Sequence, residues 1–252
     1  MLNSLILVLN CGSSSVKFAI LNPLNGKKYL YGQSFSSCSS KSQIKWNINN
    51  ISYHKIFENQ VLFSDIICYI INDIVLKQSE SFVKAIKGIG HRVVHGGYKL
   101  QESMLINHKV IECIKEVNCF APIHNPINLL GIKLAMNLFP VLSKNNVAVF
   151  DTSFYHTLPE HAYLYAIPYD FYTKHKIRRY GAHGISHSYI TNKSSTILKK
   201  SKKLLNIISC HLGNGCSIAA ICNGVCVDIS MGLTPLEGLV MGTRSGDIDP
   251  AI

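Results

Sequence analysis

The sequence predicts an α/β fold made of two similar lobes, the second of them incomplete. Short apolar runs alternate with longer amphipathic segments, which is typical of buried strands joined by helices. A strand, a glycine turn and a second strand occur near residue 10 and again near residue 211, and an Asn-Gly pair follows each copy. The chain ends on Asp249-Pro250-Ala251-Ile252, a helix start that is too short to be a helix, so we expect the second lobe to stop in mid-fold.

The first half of the chain is predicted to contain three strands, two turns and one helix. Apolar runs and turn residues place them in order as a strand at 5–9, a polar turn at 10–15, a strand at 16–21, a hairpin turn at Asn25-Gly26, a strand at 27–33 and a helix at about 61–77.

The second half is predicted to contain two helices and two strands. A helix begins with Asn125 as N-cap and Pro126 at its first position, and it ends near Phe139. The other elements are a strand at 147–150 with Asp151 at its end, a helix at 188–204, and a strand at 206–210 that leads into the second glycine turn. The predicted lobes are residues 1–151 and residues 152–252.

Composition excludes several classes of protein. Hydrophobic residues make up 47% of the chain and charged residues 15%, which excludes a disordered protein. No apolar run reaches the roughly 18 residues that span a bilayer, and the N-terminus lacks a basic signal region, so we expect a cytoplasmic protein with no membrane partner. The nine cysteines include no C-x-x-C pair, which favours free thiols over disulfides or a zinc site.

The formal charge of +11 indicates either a nucleic-acid surface or a site for anionic substrates. Most of the basic residues are lysines spread along the chain, and the tightest run, at 199–203, has no aromatic residues within it. We therefore expect no nucleic-acid partner. Three of the four arginines lie in segments rich in glycine and histidine, where a guanidinium is suited to bind phosphate or carboxylate.

Two glycine turns are candidate phosphate sites. Each offers several backbone N–H groups in a small space, and neither matches a Walker A or a Rossmann motif. An ordinary serine-rich β-turn is the alternative for the first of them. Their candidate residues are Asn10, Ser13, Ser15 and Lys17 in the first turn and His211, Leu212, Gly213, Asn214 and Gly215 in the second.

Three further segments contain candidate binding or catalytic residues. Arg92 lies in an apolar segment that ends in a glycine pair, where a planar guanidinium can bind a carboxylate. His124 and His183 lie in loops rich in proline or glycine, although most single histidines are structural. Arg244 lies between Ser and Gly residues close to two aspartates, a setting that indicates stabilisation of a developing negative charge.

These motifs, taken in order, resemble the acetokinase family of the actin/sugar-kinase/chaperone superfamily. The resemblance implies the fold shared by actin and hexokinase, in which two lobes of ribonuclease H-like topology are duplicated. The matching segments are Val8–Phe18, His91–Gly97, Ala121–Pro126, Phe150–Phe154, Arg178–Gly184, His211–Gly215, Asp228–Gly238 and Gly242–Pro250. The resemblance covers essentially the whole chain and about the first two-thirds of a family member, so the C-terminal third is expected to be missing.

The resemblance also implies roles for individual residues. It assigns ATP phosphates to Ser13, Ser15, Lys17 and the turn from His211 through Leu212, Gly213 and Asn214 to Gly215, and it assigns Mg²⁺ to Asn10. It assigns the acid substrate to Arg92, Val94, Ile123, His124 and Pro235, with Ala182 in place of a phenylalanine common in relatives. It makes Asp151, His183 and Arg244 the catalytic residues. We expect Asp151 to orient a cation or Mg²⁺-bound water, because a carboxylic acid of pKa near ~4 has no proton to lose at neutral pH.

The activity implied is reversible phosphoryl transfer from ATP to acetate, giving acetyl phosphate and ADP, with Mg²⁺ as cofactor and a homodimer as the assembly. Three alternatives stay open: a truncated and inactive remnant, a kinase of propionate or a similar short-chain acid, and a basic anion-binding protein without activity. The family's C-terminal third supplies adenosine-binding motifs, a glutamate for Mg²⁺ and much of the dimer interface. For the isolated 252 residues the sequence therefore favours inactivity.

Overall fold

The computed structural model describes residues 4–12, 15–37, 40–59 and 61–252 as two compact α/β units. The first unit contains residues 1–93, 103–118 and 122–149, and the second contains 94–102, 119–121 and 150–252. The predicted lobes are contiguous, whereas these units are not. Residues 94–102 contact the rest of the second unit through hydrogen bonds: the Gly96 N–H donates to Thr152 Oγ1 at 3.0 Å, and the His95 ring lies 3.2 Å from the Leu233 carbonyl.

The first unit is built on an eight-stranded mixed sheet in the order β5-β4-β3-β2-β1-β6-β8-β7. β1 runs antiparallel to β2 and parallel to β6, so it lies in the middle of the sheet. The strands are β1 Leu5–Cys11, β2 Val16–Leu21, β3 Lys28–Ser37, β4 Ser40–Ile48, β5 Ile51–Ile56, β6 Ile86–Val93, β7 Met104–Leu105 and β8 Asn146–Phe150.

One face of this sheet is covered by helices. Leu5, Leu7 and Leu9 alternate with less buried residues along β1 and are at most 1% exposed, as expected of a strand with one covered face. The helices of the unit are α1 Phe63–Tyr69, continued by a π-helical segment Ile70–Val75, α2 Glu80–Ala85, α3 His108–Glu116 and α4 Asn125–Leu138. The strands predicted at 5–9, 16–21 and 147–150 and the helix at 61–77 are present with small changes of boundary.

Two local predictions in the first unit need correction. Asn25-Gly26 does not form a two-residue hairpin, because the loop runs from Asn22 to Lys27, whose backbones bond at 2.9 Å. Asn125 is the first residue of α4 and not its N-cap, which is His124. Strands β4 and β5 were not predicted. β4 carries apolar residues at alternate positions, Ile44, Trp46 and Ile48, a signal that the prediction missed, whereas β5 is exposed along its whole length.

The second unit contains a three-stranded antiparallel sheet in the order β11-β10-β9. Its strands are β9 Ile207–Leu212, β10 Cys216–Cys222 and β11 Val225–Ile229, and its helices are α5 Glu160–Tyr163, α6 Asp170–His175 and α7 Gly184–Leu198. Asn223 and Gly224 have φ of 54° and 76°, which is the type I′ hairpin that Asn-Gly predicts. The three strands β1-β2-β3 form an antiparallel meander, and so do the three strands β9-β10-β11, in agreement with the predicted internal repeat.

Helix α7 begins four residues before its predicted start and ends before residue 204. Gly184 is its first residue, and Lys199, in the left-handed conformation, caps its end. The prediction missed the first turn because it lies in a Gly/His-rich segment that resembles a loop. Among the residues that the structure describes, no helix is both long and apolar enough to cross a membrane.

Candidate functional site

In the first unit, three predicted residues lie side by side on the middle strands. Asn10 on β1 is the register partner of Lys17 on β2. The Arg92 guanidinium on β6 donates from Nη1 to Asn10 Oδ1 at 3.2 Å. This places an ammonium, an amide and a guanidinium at one end of the middle strands, where they suit an anionic ligand.

The same sheet face bears a groove of about 640 Å³. Successive cross-strand partners carry Asn10, Lys17, Gln33 and Lys45 across four strands. Its other lining residues are Val8, Phe18, Ala19, Lys28, Tyr31, Gly32 and Asn47. Among the described residues that line this groove there are three lysines and no carboxylate, so their net charge is positive.

The end of β1 is held by the interior of the first unit. Asn128, which is 3% exposed, donates from Nδ2 to the Cys11 carbonyl at 2.6 Å. The Gly12 N–H donates to the Ser15 carbonyl at 2.8 Å and closes the first glycine turn. Ser13 lies outside the described residues, so its predicted role at phosphate stays a prediction.

Residues flanking Arg92 and the predicted acid-binding residues differ in exposure. Burial lowers the pKa of His91 to about 4, opposed by its 2.7 Å hydrogen bond to the amide oxygen of Asn146. Val94 is 3% exposed, whereas Ile123 is 64% exposed. Val94 belongs to the second unit, whereas Ile123 and His124 belong to the first, and their assignment to the acid substrate stays a prediction.

In the second unit, the first residue of α7 lies next to Asp151. The Gly184 N–H donates to the Asp151 carbonyl at 3.0 Å, and a Cβ at position 184 would overlap that oxygen. His183, the N-cap, has a φ of 59° and is left-handed. Because a side chain at 184 would overlap the Asp151 carbonyl, only glycine fits there. This close approach holds the backbone next to His183 in place.

His183 and Arg244 meet at the second glycine turn. A Cβ built on Gly215 would lie 3.2 Å from Arg244 Nη1, 3.3 Å from His183 Cε1 and 3.4 Å from His183 Nε2. The His183 ring also stacks on that of His211, with centroids 4.2 Å apart. The absence of a side chain at 215 therefore leaves a small space bounded by an imidazole and a guanidinium.

The rest of this turn is open, while Arg244 is anchored from behind. Leu212, Gly213 and Asn214 are exposed. The Gly242 N–H donates to the Asn214 carbonyl at 3.2 Å, and Arg244 Nη1 donates to the Pro235 carbonyl at 3.0 Å. The predicted residues Gly215, His183, His211, Arg244 and Pro235 are thus brought together in one unit.

Asp151 is 1% exposed and lies at the end of β8. Its charge raises the pKa of the buried His187, against the stronger lowering by desolvation and by His211. The role of Asp151 stays a prediction.

Sequence reasoning missed three residues behind His183. His187, Ser209 and Ser217 are all at most 3% exposed, and hydrogen bonds link them to the His183 ring. Two spacings could have found His187 and Ser209, but neither reaches Ser217. His183 and His187 are four residues apart and share a helix face, and Ser209 and His211 are two apart and share a strand face.

The described donors around Asn10 do not by themselves fit Mg²⁺. That ion prefers carboxylate and phosphate oxygens, whereas Asn10 Oδ1 accepts from a guanidinium and its groove is lined by lysines. No group of three or more histidine, cysteine or acidic side chains in the described ranges is arranged to hold a metal. The metal role of Asn10 therefore stays a prediction.

The fold and these residues define an actin-like α/β protein with two glycine turns in equivalent positions. The pattern of the Acetokinase family matches residues 5–252. The chain belongs to the acetokinase family.

Relatives support this over the whole chain. It is 57% identical over 251 residues to an acetate kinase of Buchnera aphidicola subsp. Acyrthosiphon pisum (strain APS), covering 100% of this chain and 62% of that protein. It is 52% identical over 252 residues to the acetate kinase of Escherichia coli (strain K12), covering 100% and 63%. The chain thus spans less than two-thirds of the length of these relatives.

Solved structures agree. A propionate kinase from Francisella tularensis subsp. tularensis SCHU S4 superimposes with a TM-score of 0.90 at 44% identity, covering 98% of this chain and 62% of that one. An acetate kinase from Porphyromonas gingivalis gives 0.85 at 41% identity, with the same coverage.

Proposed function

We propose that the function of this chain is that of an acetate kinase, phosphoryl transfer from ATP to acetate that reversibly forms acetyl phosphate and ADP. Inactivity of the isolated 252 residues, which the sequence favours, is the alternative that an activity assay decides. The observation that carries the proposal is the meeting of His183 and Arg244 over Gly215. Phosphoryl transfer requires positioning and neutralisation of charge on the equatorial oxygens, and it requires little covalent chemistry. An imidazole N–H and a guanidinium beside open backbone amides supply that.

Each unit has its own part in this proposal. In the first unit, Arg92 binds the acid carboxylate, held in place by Asn10, and Lys17 contacts nucleotide phosphate. In the second, the turn from His211 to Gly215 binds phosphate through its N–H groups, and His183 and Arg244 stabilise the transferring group. Asp151 orients a cation or Mg²⁺-bound water. The exposed turn and the anchored Arg244 support this division.

The Mg²⁺ requirement, a homodimer and a cytoplasmic location are further predictions. The donors near Asn10 do not fit the ion by themselves. Activity measured against added Mg²⁺ or EDTA tests the requirement, and sedimentation velocity tests the assembly.

Hydroxylamine trapping tests the activity. Chain incubated with ATP, Mg²⁺ and acetate should give acyl hydroxamate, and Arg92→Ala should abolish it. Lys144→Ala, at an exposed position away from the named residues, is the matched control for loss of one positive charge. No product from a correctly folded chain would instead support the alternative of an inactive remnant.

A second candidate substrate is propionate, favoured by the 0.90 superposition on a structure named a propionate kinase. The small Ala182, where relatives are expected to have phenylalanine, also favours it. One added methylene changes discrimination by about 1–3 kcal/mol, so the ratio of kcat/KM for the two acids decides. A ratio near one would support a broad short-chain specificity.

A further inference from the structure

A buried chain of hydrogen bonds runs behind His183. His183 Nδ1 lies 3.0 Å from Ser217 Oγ, and the same oxygen lies 2.8 Å from His187 Nε2. The other nitrogen of His187, Nδ1, lies 2.8 Å from Ser209 Oγ. Two serines and two imidazoles thus alternate in one line.

The secondary structure explains this alignment. His183 and His187 are one helical turn apart at the start of α7, and Ser209 and His211 share one face of β9. Ser217 on β10 is the register partner of His211. The two histidines at the start of α7, its N-cap His183 and His187, therefore lie against β9 and β10, which carry the two serines.

The donors and acceptors along this series of hydrogen bonds are coupled, because each side chain has few protons to donate. The Ser217 hydroxyl has one hydrogen, so it donates to one imidazole and accepts from the other. Burial first, and then the charge of His211, lower the pKa of His187 to about 4, so this ring is neutral near pH 7 with one donor and one acceptor. Fixing one proton then fixes all the others.

Only one direction suits a neutral His183 that donates towards Gly215. Its proton must then be on Nε2, which faces the turn, and Nδ1 must accept from Ser217. Ser217 accepts from His187 Nε2–H, and His187 Nδ1 accepts from Ser209. In the reverse direction a neutral ring would turn a lone pair towards any bound anion.

We propose that Ser209, His187 and Ser217 are positioning residues that hold His183 as the neutral tautomer with its proton on Nε2. The proposal rests on the proposed function for the use made of that proton. The charged and titratable groups facing the two rings are Arg244, His211, Asp151 and Tyr155. Arg244 and His211 lie beside the His183 ring, whereas desolvation and His211 lower the pKa of His187 and Asp151 opposes that shift.

The imidazole ¹⁵N shifts of the full chain, labelled at histidine, test this directly. With signals assigned from His183→Gln and His187→Gln, both rings should carry their proton on Nε2 at pH 7.5. A proton on Nδ1 of His183 would overturn the proposal, and the tautomer itself is read in the wild-type chain. Because no turnover is measured, the result is independent of whether the chain has kinase activity.

Two serine variants extend the test. Ser217→Ala should leave His183 as a mixture of tautomers and lower kcat about 10- to 100-fold with little change in KM, the usual range for residues that orient a functional imidazole. Ser186→Ala is the matched control, because its hydroxyl bonds the His211 ring at 2.9 Å outside the chain. If folded Ser217→Ala kept the wild-type tautomer of His183, the relay would be refuted.

Discussion

Gly215→Ala tests whether the space beside the second glycine turn matters. The new methyl carbon would lie 3.2 Å from Arg244 Nη1 and 3.3 Å from His183 Cε1, whereas unstrained contacts are about 3.5–4.0 Å. The two side chains must then move by a few tenths of an ångström. Since a 1 Å misplacement can lower a rate about 100-fold, we expect about tenfold lower kcat, or about 1.4 kcal/mol.

Gly213→Ala in the same turn is the control. Its added carbon would meet only the Gly215 carbonyl at 3.6 Å, an ordinary contact, and neither glycine has a positive φ. The assay is hydroxamate formation, together with the ¹H shift of His183 Cε1–H and urea unfolding. We expect Gly215→Ala alone to change the first two, with both variants within about 1 kcal/mol of wild-type stability. Equal behaviour of the two variants in both site readouts would refute the reasoning.

Three further predictions concern stability, each measured by urea unfolding. Gly131→Ala in α4 places a carbon 2.6 Å from a buried sulfur and should lower the unfolding free energy by about 1–3 kcal/mol, while Gly90→Ala meets nothing within 4 Å and should change far less. Gly224→Ala and Gly26→Ala share a positive φ, but only the first meets backbone, at 2.7 Å, so it should be the more destabilising; equal losses would contradict a packing effect. The pKa of His91 is about 4 in the folded protein against 6.5 for a free histidine, so the neutral ring contributes up to about 3 kcal/mol to the unfolding free energy. This contribution is complete above pH 6.5 and is lost as the pH falls to 4. His91→Gln should remove this part of the pH dependence.

Much of the fold was predictable because its strongest signals are local. Asn223-Gly224 specifies its own turn, and the apolar run of β1 specifies a buried strand wherever it lies. Asn25-Gly26 has the same residues, yet Asn22 makes the turn longer through its own side chain and backbone. Tertiary context decides such cases.

The site divides in the same way. Glycine turns and arginines among glycines are visible in the sequence, so His183, Gly215 and Arg244 were found. Ser217 was not, since a serine in an apolar strand carries no signal until the facing helix is known. Its importance depends on two imidazoles 30 and 34 residues away along the chain.

At His183 the stability of the fold and the proposed chemistry make opposite demands. Its left-handed backbone lowers stability, whereas its imidazole serves the proposed function. A side chain with a β-carbon at φ 59° costs about 1–2 kcal/mol that glycine, or to a lesser degree asparagine, would avoid. A search for heat-resistant variants that ignored turnover would therefore select glycine here. Retention of histidine would show that the imidazole is maintained by demand for its function, at the expense of the melting temperature.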